Sequence, residues 1–178
     1  MKLEPFDEGL HHRHIVAFDP VYGEVFADVQ AFVHQFLEGV ELMHIGSTAV
    51  DGLRGKPMID AVAITARQDL RDEQRAFERM GFQRRPVWVD KDEKPYVCAS
   101  VVHAGRRFNI NVHICHRGDP VHKDSLAFMD ILARRPDLRQ KYEEAKDRAH
   151  AIDPGDPQVY NKEKEAVIRE IEAQIDHR

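Results

Sequence analysis

A glycine-serine pair leaves one apolar run, and thirteen residues later a lone carboxylate interrupts another: Gly46-Ser47 and Asp60 are the part of this sequence with the most chemical content. Backbone N–H groups at such a turn, joined by the Ser47 hydroxyl, can cradle an anionic oxygen. Asp60 lies in MIDAVAIT, a stretch otherwise almost continuously apolar. A carboxylate there is costly unless it is paired, hydrogen-bonded or bound to a cation. His113 belongs to a polar strand face with Asn109 and Asn111. Asp60 and His113 could hold one Mg²⁺, Mn²⁺ or Zn²⁺ ion, with His44 or water completing the shell, or work as a carboxylate–imidazole general base. The plain alternatives are that Asp60 caps a loop N–H or accepts from His44, and that His113 is a satisfied core histidine. Tyr142/Lys146 and Tyr160/Lys164 are both i, i+4 pairs, so each puts a phenol and an ammonium on one helix face. With Lys56 they offer charge, hydroxyls and a stacking surface to a phosphorylated ligand. Solvated helix lysines are the plain reading of Lys146 and Lys164.

A second group is of zinc-ligand type: His113, Cys115, His116 and His122, with His103 across a hairpin. Strand alternation sends His113 and Cys115 to one side and His116 to the other, and no Cys-x-x-Cys pair is present, so zinc ranks below the phosphate reading. Cys98 and Cys115 read as buried free thiols. His11, His12 and His14 sit in a polar segment and read as solvent-exposed.

The elements that must position these groups follow from periodicity. Val21, Val25, Val29, Phe32, Val33 and Phe36 recur at helical steps after Asp19-Pro20 and stop at Gly39, which predicts an amphipathic helix lying on a sheet. Strands are expected over 40–45 and 58–65, the latter buried on both faces, with a helix over 69–80 ended by Gly81 and an extended segment from Phe82. Residues 95–103 and 107–115 flank Gly105-Arg106, a plausible hairpin tip. That tip would oppose Val97, Ala99 and Val101 to Ile114, Val112 and Ile110, and set Cys98, Ser100 and Val102 against His113, Asn111 and Asn109. Beyond Gly118-Asp119-Pro120 the pattern is helical: 123–134, broken at Pro136, then 137–149, a turn over 153–157, and a final helix over about 159–175.

The chain of 178 residues suits one domain spanning 1–178. A net charge of -5 gives no general attraction to nucleic acid or to anionic membrane. No apolar run approaches the roughly 18 residues of a membrane span. Two cysteines make no disulfide framework and Met1 to Leu10 has no apolar signal core, which points to the cytoplasm.

The run His44-Ile45-Gly46-Ser47-Thr48-Ala49-Val50, then Gly52-Leu53, then Lys56-Pro57-Met58-Ile59-Asp60, closely resembles the signature of the GrpB family. Asn111-Val112-His113, Ala127-Phe128-Met129-Asp130 with Leu132 and Pro136, and the two Tyr/Lys pairs extend the resemblance over nearly the whole chain. It implies an α/β, nucleotidyltransferase-like mixed sheet flanked by helices, with a C-terminal helical extension. It also implies a ligand that is a nucleotide or another phosphorylated small molecule, held by Gly46, Ser47, Thr48, Lys56, Tyr142, Lys146, Tyr160 and Lys164. Binding is the function expected, and Asp60 and His113 with Mg²⁺ or Mn²⁺ could extend it to metal-assisted nucleotidyl transfer. A related domain fused to dephospho-CoA kinase suggests the rival, a non-catalytic or chaperone-like module for a partner enzyme. Active members of the wider fold use two carboxylates on one strand and a third on a later strand to hold two metals. Here Val62 takes the second position, and the face of Asn109, Asn111 and His113 takes the third. Asp51 stands where the family usually has Pro, and Met129 where it usually has Arg.

Overall fold

The computed structural model describes the backbone of residues 1–11, 15–84, 95–153 and 157–175, and their side chains except at 11 and 157–160. In chain order these form β1 (Leu3–Glu4), α1 (Glu8–His11), α2 (Val21–His34), β2 (Glu41–Ile45), a 3-10 turn (Ser47–Ala49), β3 (Met58–Thr65), α3 (Leu70–Arg79), β4 (Tyr96–His103), β5 (Arg106–His116), α4 (Pro120–Arg134), α5 (Pro136–Ile152) and α6 (Pro157–Glu172).

The strands make one mixed sheet in the order β1-β4-β5-β3-β2. Its centre is the parallel pair β3 and β5, in which Asp60 lies beside Asn111 and Val62 beside His113. All other pairings are antiparallel. Because strand side chains alternate, Ile59, Ala61 and Ala63 fall on the back face, with Ile110, Val112, Val97 and Ala99 from the neighbouring strands. Helix α2 lays Tyr22, Val25, Val29 and Val33 on that face, and α3 adds Ala76 and Phe77. The front face carries Asp60, Val62 and Ile64 and is roofed by α4, α5 and α6. Leu132, Leu138, Tyr142, Ala145, Val167 and Ile171 from these helices pack with Val50 and Leu53 of the loop after β2.

The helix starts obey local chemistry. The Asp19 carboxylate accepts from the Val21 N–H at 3.1 Å, and Asp69 caps α3 through the Arg71 N–H at 2.8 Å. Pro136 divides α4 from α5 because the preceding Arg135 is held extended, at φ -115° and ψ 87°.

Several expectations need correction. The first long helix stops at His34 and the chain winds on through turns to Gly39, whose φ of 79° turns it into β2. The hairpin tip is Ala104-Gly105, with both residues at positive φ, and not Gly105-Arg106. Val97 therefore faces Val112, Ala99 faces Ile110 and Val101 faces Phe108, while Tyr96 faces His113 and Cys98 faces Asn111. The register moves by two residues, so each side chain keeps its predicted face. β1 and α1 were not legible in the periodicity. The three C-terminal helices run over 120–134, 136–152 and 157–172, each starting a residue or more before its expected bound. The turn expected over 153–157 and the side chains of His11, His12, His14 and Tyr160 fall outside the described residues. No helix among the described residues is long and apolar enough to cross a membrane.

Candidate functional site

The loop after β2 is fixed from three sides. Gly46 has φ 76°, and a Cβ there would stand 3.0 Å from Asp60 Oδ2, so glycine alone lets the turn lie against the carboxylate. Thr48 Oγ1 donates to the Met58 carbonyl at 3.0 Å and therefore accepts from His44 Nε2, also at 3.0 Å. That assigns His44 the neutral Nε2–H tautomer. Burial agrees, since it pushes the His44 imidazole down to about 4, and the ring stacks on Phe26 with centroids 4.8 Å apart. Gly55 closes the far end of the loop so tightly that a Cβ would meet that of Ser47 at 2.7 Å.

Helix α5 holds the third side. Lys146, with no exposed surface, donates from Nζ to Ser47 Oγ at 2.9 Å and to the Arg54 carbonyl at 2.5 Å. Glu143 accepts from the Arg54 N–H at 2.7 Å and Asp147 from the Arg54 guanidinium at 2.5 Å. The Lys146 ammonium also lies 4.3 Å from the centre of the Tyr142 ring. Burial, and next the nearby Lys164, lower its pKa to about 7. Tyr142 is pushed up to about 12 by burial, against the pull of its hydrogen bond with Ser47.

In front of this loop a cleft of about 590 Å³ opens between the sheet and the helical roof. Its floor is Ile45, Gly46, Asp60, Asn111, His113 and Tyr96. Asn111 Nδ2 donates to Asp60 Oδ1 at 3.1 Å, and the sheet register sets the two residues side by side. Asn111 Oδ1 is then buried with no hydrogen-bond partner among the described residues. Left so, an acceptor costs about 1–3 kcal/mol, and a ligand N–H or O–H would recover it. Burial raises the pKa of Asp60, opposed by His113, Asn111 and Lys164. Burial lowers that of His113, against the pull of Asp60. The imidazole is consequently neutral at pH 7 and can accept or relay a proton.

The roof supplies Lys164 and Asn161 from α6, Asp124, Ser125 and Phe128 from α4, and Tyr142 from α5. The Lys164 ammonium lies 6.0 Å from the centre of the Tyr142 ring, on a helix other than that of Lys146. Its pKa falls to about 8 through burial, partly restored by Asp60 and lowered further by Lys56. Lys56, itself lowered by burial, thus stands close to the same charges.

Of the residues singled out from sequence, Gly46, Asp60, His113, Tyr142 and Lys164 line one cleft. Ser47, Thr48 and Lys146 form the layer behind its wall, where the Ser47 hydroxyl is engaged by Lys146. Sequence reasoning missed Tyr96, Asp124, Ser125, Asn161 and Glu172 as cleft residues, and named Phe128 only for the family resemblance. A signal was available on α6: Asn161, Lys164, Ile168 and Glu172 recur at steps of three and four and all reach the cleft.

The His/Cys group does not assemble. His103 is at the hairpin end, with Nδ1 2.8 Å from Asp28 Oδ2. His116 Nε2 bonds the Arg67 carbonyl at 2.9 Å, and His122 Nδ1 accepts from the Gly118 N–H at 3.1 Å. Cys115 is buried, which pushes its thiol up to about 11, away from the thiolate that zinc needs. Among the described residues no three His, Cys, Asp or Glu side chains come together as a metal-binding group.

Comparison with known proteins adds four findings. The family profile described as GrpB protein matches residues 13–174. The UPF0157 protein BH1888 of Halalkalibacterium halodurans is 25% identical over 165 residues, spanning 88% of this chain and 79% of its own. Among solved structures, the conserved protein GrpB from Enterococcus faecalis superposes with a TM-score of 0.73 at 26% identity, covering 90% of this chain and 96% of that one. The Cid1 poly(U) polymerase, solved with Mg and 3'-dATP, superposes with a TM-score of 0.50 at 10% identity over 90% of this chain and 49% of its own, a likeness of fold alone.

Proposed function

The chain belongs to the GrpB family, and we propose that its front cleft binds a nucleotide or another phosphorylated small molecule. One observation carries this reading: Asp60, the unpartnered Asn111 Oδ1 and the Lys164 ammonium line the same cleft beside the Gly46 turn. The likeness of fold to a polymerase solved with a nucleotide analogue supports it. In this reading Lys164 and the Gly46 backbone meet phosphate, and Lys56 adds long-range charge. Tyr142 and Phe128, edge to face with centroids 5.4 Å apart, offer an aromatic wall. Ser47, Thr48 and Lys146 hold the turn in shape. Tyr160 remains proposed from its pairing with Lys164 in sequence. Asp60 and the neutral His113 are placed to take a proton from a ligand hydroxyl.

Nucleotidyl transfer asks more of the site. Val62, 1% exposed among Ile45, Ile64 and Cys115, supplies no carboxylate. This favours the second reading, a non-catalytic interaction or chaperone-like module for a partner enzyme. Isothermal titration with ATP, CTP, GTP, UTP and their monophosphates tests the binding. At least one should give heat, and Asp60→Ala should abolish it. Release of pyrophosphate from a bound triphosphate would establish transfer, and binding without release would favour the module. No heat from any nucleotide, in the presence or absence of Mg²⁺ or Mn²⁺, would sink the nucleotide reading.

A further inference from the structure

We propose that Lys164 stands in for the metal ions of this fold, so that the cleft takes its ligand without a divalent cation and prefers one phosphate to three. The inference rests on the reading of the cleft as a site for a phosphorylated ligand and deepens it.

The donors that a pair of ions would need are replaced one by one. Val62, at the second carboxylate position, is buried in an aliphatic cluster. On β5, beside Asp60, Asn111 turns an amide N–H toward Asp60 Oδ1 at 3.1 Å. A donor hydrogen there takes one lone pair of Oδ1 and leaves Oδ2 as the oxygen open to a cation. With one carboxylate and one imidazole, and Asn111 Oδ1 as a further oxygen, the described residues offer fewer carboxylates than a two-ion site shares, and Mg²⁺ or Mn²⁺ would need water and the ligand's own phosphate to fill its six positions. The expected ion on these two residues therefore has a competitor already built in. The Lys164 ammonium lines the same cleft, and it and the Asp60 carboxylate each favour the other's charged form.

Charge also limits the ligand. Among the described residues that line the cleft, Asp124 from α4 and Glu172 from α6 join Asp60, against one lysine. A triphosphate stripped of its metal would bring about four negative charges toward three carboxylates, whereas a single phosphate can be met by Lys164, with Lys56 close by. The remaining polar atom asks for a donor. Asn111 Oδ1 is a buried acceptor, suited to a sugar hydroxyl or a ring N–H of the same ligand.

The experiment is calorimetric titration of the whole chain with AMP, CMP, GMP and UMP and with the four triphosphates, once in EDTA and once in Mg²⁺. At least one monophosphate should bind in EDTA, with an affinity that Mg²⁺ changes by less than about 2-fold and that exceeds that of its triphosphate by at least ~10-fold. Lys164→Met should weaken this binding by ~10-fold or more, and Lys164→Arg should recover part of it, with circular dichroism confirming that both variants fold. The comparison of EDTA with Mg²⁺ on the unaltered chain needs neither variant. Triphosphate binding that appears only with Mg²⁺ would overturn the inference and leave the nucleotide reading standing. An absence of binding by all eight nucleotides under both conditions would overturn both.

Discussion

The two faces of the sheet are built from the same strands, and neighbouring residues in β3 serve opposite ends. Ile59, Ala61 and Ala63 point back and have no exposed surface, and the residues packed on them from α2 and α3 need nothing beyond close contact. Asp60, one position away, points forward into a layer where a carboxylate, an amide and an imidazole share space with Ile45 and Tyr96. Both faces are covered by helices, and among the described residues each side keeps a buried oxygen without a hydrogen bond, Glu73 Oε1 on α3 and Asn111 Oδ1 on β5, but of the two only Asn111 lines the cleft. The front face retains a buried acceptor on Asn111 and lysines held below their ordinary pKa by burial. An unsatisfied acceptor at the wall of a cleft is the observation on which the proposed ligand site rests.

That contrast can be broken most forcefully from behind. Phe77, with no exposed surface and edge to face with Phe82 at 5.2 Å, should cost about 3–5 kcal/mol when cut to alanine, measured by urea unfolding. The folded fraction should retain its ligand affinity, and a loss of affinity there would show that the faces are not independent.

A next largest effect concerns pH. The folded pKa of Lys146 is about 7, well below its unfolded value of 10.5, so between these limits the unfolded chain binds more protons. Stability should rise as pH is raised through this window, by roughly a few kcal/mol at ~1.4 kcal/mol per unit. Lys146→Met should flatten the rise, leaving the smaller contribution of Lys164. Thermal melts of both proteins from pH 7 to 10 would settle the slope, and identical slopes would mean that Lys146 is solvated.

Gly46→Ala sharpens the comparison at the join between loop and strand. With φ 76° and Asp60 Oδ2 at 3.0 Å from the new methyl carbon, it should cost about 1–2 kcal/mol and weaken ligand binding together.

Asp60→Asn is the smallest change and has the opposite sign. Burial raises the pKa of Asp60, so the ionised carboxylate opposes folding at neutral pH, and that cost vanishes below about 3.8, where the unfolded chain is protonated too. The amide should therefore stabilise the protein by roughly 1 kcal/mol at pH 7, about 2–4 °C in Tm, while ligand binding is lost. A lower melting temperature would mean that Asp60 is a structural residue and the front face is ordinary core.

The strand β3 was legible to the residue, because MIDAVAIT is apolar apart from Asp60 and its terminal Thr65. Asp60 and the missing carboxylate at Val62 were visible for the same reason. The hairpin tip was not, because Ala104 takes φ 48°, a conformation that sequence assigns to glycine or asparagine first. The alternation of faces survived this error since it depends on parity and not on the tip. β1 has two residues, too few for any period to show. The pairing of Tyr142 with Lys146 was read correctly as one helix face, but spacing gives no depth. Nothing in it tells that Lys146 goes behind the loop to Ser47 while Lys164, from another helix, reaches the cleft. The Asn111 acceptor was invisible as well, since its missing partner is a property of three strands together.

The parallel pairing of β3 with β5 bears on how the chain reaches this state. β4 and β5 are joined by a tight turn and can zip together locally, in microseconds for an isolated hairpin. Asp60 and Asn111 are 51 residues apart, with α3 and β4 between them, and meet only when a long loop has closed. Assembly of the cleft floor therefore belongs to the slow, non-local stage of folding. A substitution at the β3–β5 seam should act mainly on the rate of that late step, whereas one in the hairpin should act on an earlier one.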